Sequence, residues 1–447
     1  MKRLACWCVI VVAMVIQGRS ASAQVIGGVV SQEEAQRHGL TRAWYVQADV
    51  SRMVGKIVDT TLSDGMLLIQ TSRARLQAID AETGGTLWSA TVGNDLYPSL
   101  VPAAGPNHVA TINSSTLYVV NRKTGREVWN RELPSAVGSG PAVSKTHVFV
   151  PMVNGMMMGF EIADPKKAPF VYKSFGRILV QPVVTADSLA WTTEQGFLYF
   201  LSLAVPERMQ VNFRLDTKDK IESRPGYWTP YLYSVSLDGY VYAVHEQSGL
   251  IHWKFPTAEP IVDAPVAVNG KVYVCREEGG MFCLDGETGA EVWFAPNVTE
   301  FVSASPTRVY ATDRLERMVI LDGKTGSRLD SMSIRGVVQK VRNVQSDRIY
   351  LTTGNGFIQC LHETELTQPV TYTPPPLPTK HPVKAKKKEG DAEPAAEAET
   401  KATETPAEDP ATEESNPFDS NADSKEEPGE MKEEAPKEEE DNPFGEP

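Results

Sequence analysis

Residues 285–293 read Asp285-Gly-Glu-Thr288-Gly289-Ala-Glu-Val-Trp293, and this pattern of Asp, Thr-Gly and Trp decides the fold. Residues 80–88 repeat it as Asp80-Ala-Glu-Thr83-Gly84-Gly-Thr-Leu-Trp88. Weaker copies keep the same spacing: Asn121 to Trp129 with Gly125, His245 to Trp253 with Gly249, and Asp322 to Gly326, whose Trp position is Asp330. Units of short strands that recur about every forty residues are typical of a β-propeller.

The unit that ends at Trp293 contains all the parts of a four-stranded antiparallel blade. Two alternating strands flank Asn269-Gly270, a dipeptide typical of hairpin turns. A third strand precedes Asp285, and the outer strand contains Trp293. We expect Asp285 to accept hydrogen bonds from backbone N–H groups two residues on, and Gly289 to take the positive φ that the turn needs.

Equivalent Asp positions divide the chain into eight units. They fall at residues 80, 121, about 161, about 201, 245, 285, 322 and 362. The third and fourth units lack the Thr-Gly turn, so seven blades is the alternative count. The last unit lacks a fourth strand, and residues 43–50, with Trp44 in the place of Trp88, are predicted to supply it. Closure by both ends of the domain leaves no open sheet edge.

The recurring residues are interpreted as structural anchors. A Trp at the same place in successive blades predicts packing between neighbouring blades, and the Asp and Thr residues form turns rather than catalytic pairs. The predicted anchors are Trp44, Asp80, Gly84, Trp88, Gly125, Trp129, Gly249, Trp253, Asp285, Gly289, Trp293, Asp322 and Gly326.

Over residues 42–363 the motif resembles the repeat of pyrroloquinoline-quinone-like (PQQ-like) propellers. That repeat is shared by quinoprotein dehydrogenases and by non-enzymatic propellers, such as the outer-membrane lipoprotein of the bacterial β-barrel assembly machine. The resemblance implies the fold, but one fold hosts many functions. In the dehydrogenases it implies an axial quinone with Ca²⁺ and a pair of adjacent cysteines. No such pair follows residue 23, and no catalytic, cofactor-binding or metal-binding residue of that group is matched in this sequence.

The N-terminus reads as an export signal. A positively charged start and an apolar core at 9–16 precede Ala21-Ser-Ala23, which is typical of a cleavage site. The core is too short for a comfortable transmembrane span. Neither Cys6 nor Cys8 is placed to become a lipidated N-terminus, which departs from the assembly lipoprotein. The chain is therefore predicted to reach the periplasm, the cell envelope or the medium after cleavage near Ala23.

Residues 24–41 are predicted to form a spacer with a short helix. Ser31 and Glu34 match a capping box, and Gly39 would end the helix.

Three cysteines remain after residue 23, namely Cys275, Cys283 and Cys360. Their odd number leaves at least one thiol free or bonded between chains, and the sequence leaves open whether Cys275 bonds Cys283.

Residues 364–447 differ from the rest of the chain in composition. Residues 371–447 hold nine lysines against 22 acidic residues, a balance of −13 that equals the net charge of the whole chain, so residues 1–370 are neutral. A neutral propeller argues against nucleic acid as a partner. The low-complexity, Pro- and Glu-rich order predicts a disordered acidic tail. Two Asn-Pro-Phe tripeptides, ending at Phe418 and Phe444, are candidate docking motifs.

These features predict an exported, monomeric, all-β, eight-bladed propeller. We interpret it as a non-enzymatic scaffold without a cofactor that binds protein partners in the cell envelope, and the resemblance implies a role in outer-membrane protein assembly. Two alternatives stay open. One is a quinone-dependent oxidoreductase or a degenerate relative of one, and the other is a sensor that binds a small molecule or a polysaccharide.

Overall fold

The computed structural model describes residues 29–50 and 55–376, and nearly all of their regular structure is β-strand. The strands form eight sheets of four strands each. The eight-bladed propeller is therefore confirmed, and the alternative count of seven is wrong. The predicted export signal at 1–23 and the tripeptides that end at Phe418 and Phe444 lie outside the described residues.

Short helices precede and interrupt the strands. Helix α1 (Gln32–Arg37) comes first and is followed by β1 (Leu40–Gln47), and a 3₁₀ turn covers Pro206–Arg208.

Blades 1 to 7 each take four consecutive strands. Blade 1 contains β2 (Ile57–Ser63), β3 (Met66–Thr71), β4 (Arg75–Asp80) and β5 (Thr86–Thr91). Blade 2 contains β6 (Ala103–Ala104), β7 (His108–Asn113), β8 (Thr116–Asn121) and β9 (Glu127–Glu132). Blade 3 contains β10 (Ala142–Val143), β11 (His147–Pro151), β12 (Met156–Glu161) and β13 (Phe170–Lys173). Blade 4 contains β14 (Val183–Val184), β15 (Ser188–Thr192), β16 (Phe197–Ser202) and β17 (Gln210–Asp216). Blade 5 contains β18 (Gly226–Trp228), β19 (Tyr231–Ser236), β20 (Tyr240–His245) and β21 (Ile251–Pro256). Blade 6 contains β22 (Val266–Val268), β23 (Lys271–Cys275), β24 (Gly280–Asp285) and β25 (Glu291–Pro296). Blade 7 contains β26 (Val298–Ala304), β27 (Arg308–Asp313), β28 (Arg317–Asp322) and β29 (Arg328–Ser333).

Blade 8 joins both ends of the ring, as predicted. It contains β30 (Val337–Lys340), β31 (Ile349–Thr353), β32 (Phe357–Glu363) and β1. Strand β1 pairs antiparallel with β32 and places Trp44 opposite Cys360. The predicted strand at 43–50 starts too late, because pairing begins at Leu40 opposite Glu363 and the Leu40 side chain is fully buried between blades 7 and 8.

The Asp-x-x-Thr-Gly turn has the geometry that its sequence predicts. Asp285 Oδ1 accepts hydrogen bonds from the backbone N–H of Thr288 at 2.9 Å, from that of Glu287 at 3.2 Å and from Thr288 Oγ1 at 2.9 Å. Gly289 follows at a φ of +73°. These bonds favour the charged carboxylate, and the backbone N–H of Thr288 above all lowers the pKa of Asp285. The same bonds form at Asp80, Asn121 and Asp322.

Each repeat Trp contacts the turn of the following blade. The Trp88 indole Nε1 donates to the carbonyl oxygen of Arg122 at 2.7 Å. The Trp88 ring also covers Gly125, where a Cβ would lie only 2.5 Å from a ring atom, so a larger residue would have to displace the ring. Trp44, Trp129, Trp253 and Trp293 donate in the same way, to the carbonyl oxygens of Ala81, Ile162, Gly286 and Gly323. Gly84, Gly289 and Gly326 lie under Trp44, Trp253 and Trp293.

Three blades carry another residue at the Trp position. In blade 3 it is Phe170, which pairs with Gly159. In blade 4 it is Phe213, which covers Gly249, and the pairing register places Ser202 rather than Leu201 at the Asp position. In blade 7 it is Asp330, whose Oδ2 lies 2.7 Å from Nδ1 of His38 at the end of α1.

Helix α1 fills the junction where blade 7 lacks its Trp. Ser31 Oγ accepts a hydrogen bond from the Glu34 backbone N–H at 3.1 Å, so the predicted N-cap is present, and Gly39 follows the helix at a φ of +72°. The Glu34 carboxylate contacts Arg37 and His38, and the second half of the predicted capping box is not formed. Ala35 is fully buried in a cluster formed by blades 7 and 8. The expected spacer is therefore packed against the propeller.

The three described cysteines are buried free thiols. Cys275 lies opposite Met281 and Cys283 lies opposite Tyr273, so the two cysteines are diagonal neighbours on adjacent strands. Diagonal neighbours in an antiparallel pair lie farther apart than a disulfide spans. The bridge that the sequence left open does not form.

Alkaline pH is expected to destabilise the propeller. Burial raises the pKa of the Cys275 and Cys283 thiols to about 12, and burial also raises the pKa of Tyr227 to about 12. Unfolding lets these groups ionise near their ordinary pKa values, so the stability present below about pH 9 is lost as the pH rises toward about 12. We expect the urea midpoint to fall between about pH 8 and about pH 11. A Cys275→Ala, Cys283→Ala double variant should lose part of that dependence, and a constant wild-type midpoint would contradict the prediction.

Candidate functional site

The two ends of the ring carry different loops. Turns between first and second strands lie beside turns between third and fourth strands, because the Gly286 N–H donates to the carbonyl oxygen of Gly270 at 2.8 Å. We call this end the hairpin face. Turns between second and third strands lie beside the connections between blades, because the Ser174 N–H donates to the carbonyl oxygen of Gly155 at 2.8 Å. We call this end the connection face.

An axial cavity of about 830 Å³ opens on the hairpin face. First strands of blades 1, 4, 5 and 6, the loop between β30 and β31, and residues 369–374 line it. Its volume falls within the range of ligand sites, which is roughly 300–1,000 Å³. Aromatic and aliphatic side chains form much of the wall, among them Leu62, Val183, Tyr227, Trp228, Val266, Tyr350 and Tyr372.

Residues 364–376 are held against the propeller beside this cavity. Two hydrogen bonds join Val370 and Asp347. The Asp347 N–H donates to the carbonyl oxygen of Val370 at 3.1 Å, and the Val370 N–H donates to Asp347 Oδ1 at 3.0 Å. The Tyr372 N–H donates to the carbonyl oxygen of Gln345 at 2.7 Å. The Tyr372 hydroxyl donates to the carbonyl oxygen of Ala304 at 3.2 Å. The expected boundary after residue 363 is therefore too early, since this segment pairs its backbone and packs Tyr372 against the blades.

Arg348 joins this segment to the first and last blades. Its side chain is 1% exposed. Nη2 donates to Glu82 Oε1 at 2.9 Å and to the carbonyl oxygen of Thr367 at 2.9 Å, while Nη1 donates to the carbonyl oxygen of Leu366 at 2.9 Å. One buried guanidinium thus links blade 8, the Asp80 turn of blade 1 and the segment 364–376 that follows the last strand.

A recurring proline marks equivalent positions at the start of the first strands, and two of the residues that precede it, Arg224 and Ala264, line the cavity. The first strand of each blade is the free edge of its sheet, where the missing N–H of proline breaks no ladder bond. Prolines precede the first strands of blades 2 to 6 and are Pro102, Pro141, Pro182, Pro225 and Pro265. The residues before them occupy equivalent positions and are Val101, Gly140, Gln181, Arg224 and Ala264.

Arg224 lines the cavity and is hydrogen-bonded to Gln181, which stands at the equivalent position before the first strand of blade 4. Arg224 Nη1 donates to Gln181 Oε1 at 3.1 Å, and Gln181 Nε2 donates to the carbonyl oxygen of Pro141 at 2.9 Å. Burial lowers the pKa of Arg224, although the charge of Asp59 opposes that shift. Burial raises the pKa of Asp59, whose carboxylate accepts a 2.5 Å hydrogen bond from Thr61 Oγ1. Neither Arg224 nor Gln181 stands out in the sequence, and the repeated X-Pro step is the signal that would have located them.

The predicted repeat anchors do not line the cavity; they lie at the ends of third strands, in the turns that follow and in outer strands. Within residues 29–50 and 55–376, no group of three His, Cys, Asp or Glu side chains is arranged to hold a metal ion. In the same part of the chain, no helix combines the length and the apolar character that a membrane crossing requires.

Known proteins share this repeat. The family model described as outer membrane protein assembly factor BamB matches residues 72–196 and 184–365. The chain is similar to outer membrane protein assembly factor BamB of Yersinia pestis, with 24% identity over 278 residues, 55% of this chain and 70% of that protein. It is also similar to the protein of the same name from Salmonella typhimurium, with 25% identity over 281 residues, 56% of this chain and 71% of that protein.

Solved structures share the fold. BamB from Moraxella catarrhalis is 15% identical with a TM-score of 0.58, and the match covers 73% of this chain and 98% of that one. The computationally designed Ika8 protein is 13% identical with a TM-score of 0.54, covering 69% and 96%. At these identities the likeness shows the propeller fold alone. Because the family model spans residues 72–365, more than half of the 447 residues, this protein belongs to the family of outer membrane protein assembly factor BamB.

Proposed function

We propose that this protein is an exported, non-enzymatic scaffold that binds protein partners in the cell envelope and takes part in outer-membrane protein assembly. The family match over residues 72–365 carries the proposal, because the relatives from Yersinia pestis and Salmonella typhimurium are named as assembly factors. The sequence of residues 1–23, which reads as an export signal, supports the location.

The connection face is the binding surface that we propose. Three large apolar side chains on its loops are strongly exposed: Leu96 at 80%, Phe175 at 64% and Leu315 at 64%. Phe175 is also held in place, because its N–H donates to the Tyr199 hydroxyl at 3.0 Å and its ring meets Phe197 edge-on at 5.5 Å. Exposed aromatic and apolar side chains on a rigid support are typical of protein interaction sites.

Deletion of the gene tests this role. We expect the amounts of β-barrel proteins in the outer membrane, measured by quantitative mass spectrometry, to fall in the deletion strain. Wild-type protein should restore them. A Leu96→Ser, Phe175→Ser double variant should restore them poorly, because it removes apolar contact area without touching a buried side chain.

The matched control is Leu250→Ser, which changes a leucine that is 69% exposed in a turn on the hairpin face. This variant should restore β-barrel proteins as well as wild type does. Unchanged β-barrel proteins in the deletion strain would contradict the assembly role. Equal restoration by all three proteins would contradict the choice of face.

The tail stays a separate prediction. Phe418 and Phe444, in the two Asn-Pro-Phe tripeptides, are proposed as docking motifs for a further envelope partner. Replacing both by Ala should remove a partner that the wild-type protein captures.

A further inference from the structure

We propose that the axial cavity binds a ligand that carries a carboxylate on an apolar or aromatic body, with Arg224 as the cation that recognises the carboxylate. This inference goes beyond the proposed scaffold role and does not depend on it. It rests on the pairing of the charges in the cavity, on the donors that Arg224 has left, and on the character of the walls.

Four charged side chains line the cavity, and they are Asp64, Glu82, Arg224 and Arg342. Three of them are ion-paired: Asp64 with Arg122 at 3.4 Å, Glu82 with Arg348 at 2.9 Å, and Arg342 with Asp263 at 3.2 Å. Among the residues that the structure describes, Arg224 has no carboxylate within 4.0 Å. Its partner is the neutral amide of Gln181. Arg224 is therefore the charged side chain of the cavity that has no ion pair among the described residues, since Asp59 acts on it only from beyond 4.0 Å.

The surroundings of Arg224 favour an incoming anion. Arg224 lines the cavity and is solvent-exposed there, so a dissolved anion can reach its guanidinium, although the protein around it lowers its pKa. The planar guanidinium matches the geometry of a carboxylate, and a bidentate contact is the strongest form. The hydrogen bond to Gln181 uses Nη1, so Nε and Nη2 remain as donors for such a contact.

The neighbouring groups favour a single negative charge over several. Asp59 contributes a negative charge that acts on Arg224. A phosphate, which carries nearly two charges at neutral pH, would meet more repulsion from Asp59 than a carboxylate would. Tyr227, Trp228 and Val266 supply aromatic and aliphatic wall for the rest of the ligand. A carboxylate on an apolar body fits both parts of the cavity.

Binding to purified full-length protein tests the proposal. The probes are N-acetylphenylalanine, which has the carboxylate and a ring, and N-acetylphenylalaninamide, which has the same body without the charge. We expect calorimetric titration to show binding of the acid, and we expect the affinity for the amide to be lower by about tenfold or more. An N-acetylated pentapeptide with a free C-terminus forms a third arm. Tighter binding of the pentapeptide would identify peptide ends as the source of the carboxylate, and weaker binding would identify small acids.

Three variants assign the site. Arg224→Gln should weaken the binding of the acid by about tenfold or more, since the positive charge is lost while a polar side chain remains beside Gln181. Asp59→Asn should strengthen the binding of the acid by about threefold, because it removes the negative charge that opposes the carboxylate. The matched control Arg177→Gln changes an arginine outside the cavity that is already paired with Glu194, and it should alter the affinity by less than about threefold.

Opposite effects of Arg224→Gln and Asp59→Asn would support the proposal, because a general loss of structure would weaken binding in both variants. Melting temperatures of the variants accompany the titrations, and Asp59→Asn keeps the test usable if Arg224→Gln unfolds. The proposal is overturned if the acid and the amide bind equally. It is also overturned if neither binds at about millimolar concentration, or if a folded Arg224→Gln binds the acid as well as wild type does.

Discussion

Replacing Trp88 or Trp293 by Ala is expected to lower the free energy of unfolding by about 3–5 kcal/mol. Both side chains are nearly buried, at 7% and 5% exposure, and both join one blade to the next. The loss of Trp88 would leave a cavity over Gly125 and an unpaired carbonyl at Arg122. Urea unfolding followed by circular dichroism measures the effect as a lower midpoint.

Two variants in the same blade separate packing from strand pairing. Leu87→Ala changes a neighbouring side chain on β5 that is 51% exposed, and it should shift the free energy of unfolding by less than about 0.5 kcal/mol. Trp88→Phe keeps a ring over Gly125 but loses the hydrogen bond to Arg122, so its midpoint should lie between those of wild type and Trp88→Ala. Wild-type midpoints for both Trp88→Ala and Trp293→Ala would show that these residues do not anchor the blades.

A protein that lacks residues 40–47 is expected to melt at a much lower temperature and to associate. Strand β32 would lose its partner along seven residue pairs, from Leu40 opposite Glu363 to Gln47 opposite Phe357. Its free backbone N–H and C=O groups would then form an edge that favours pairing with another chain. The deletion also removes Leu40 and Trp44 from the cores on either side of blade 8. Calorimetry and size-exclusion chromatography with light scattering measure the two effects.

Deletion of residues 29–37 is the matched control for ring closure. It removes α1 and the buried Ala35 but leaves β1 paired with β32. This shorter protein should melt at an intermediate temperature and stay monomeric. If the protein without residues 40–47 is monomeric and melts like wild type, β1 does not close the ring in solution.

The turn-and-Trp unit could be predicted because its determinants are local. Asp285, Thr288 and Gly289 lie within one turn, and their hydrogen bonds need no other part of the chain. Repetition of that unit at a constant spacing then implies the ring and, with Trp44, its closure. The proposed binding surface had no such local pattern, because exposed side chains such as Phe175 and Leu96 differ from ordinary loop residues only in where they lie.

Residues far apart in sequence decided the remaining features. Asp330 takes the Trp position of blade 7 beside His38, which precedes it by 292 residues. Residues 364–376 read like the start of the tail, yet Arg348 and Asp347 hold them through hydrogen bonds to their backbone, which composition does not report. The axial position of Arg224 follows from its place before the free edge strand of blade 5, and its lack of a carboxylate partner depends on what the other blades bring to the axis. The sequence by itself therefore determined the blade and its repetition in a closed ring, since both rest on short-range hydrogen bonds and packing repeated along the chain. The structure decided eight blades over seven. The tertiary structure alone decided which charges meet at the axis, because the ring brings together residues from blades that the sequence keeps apart.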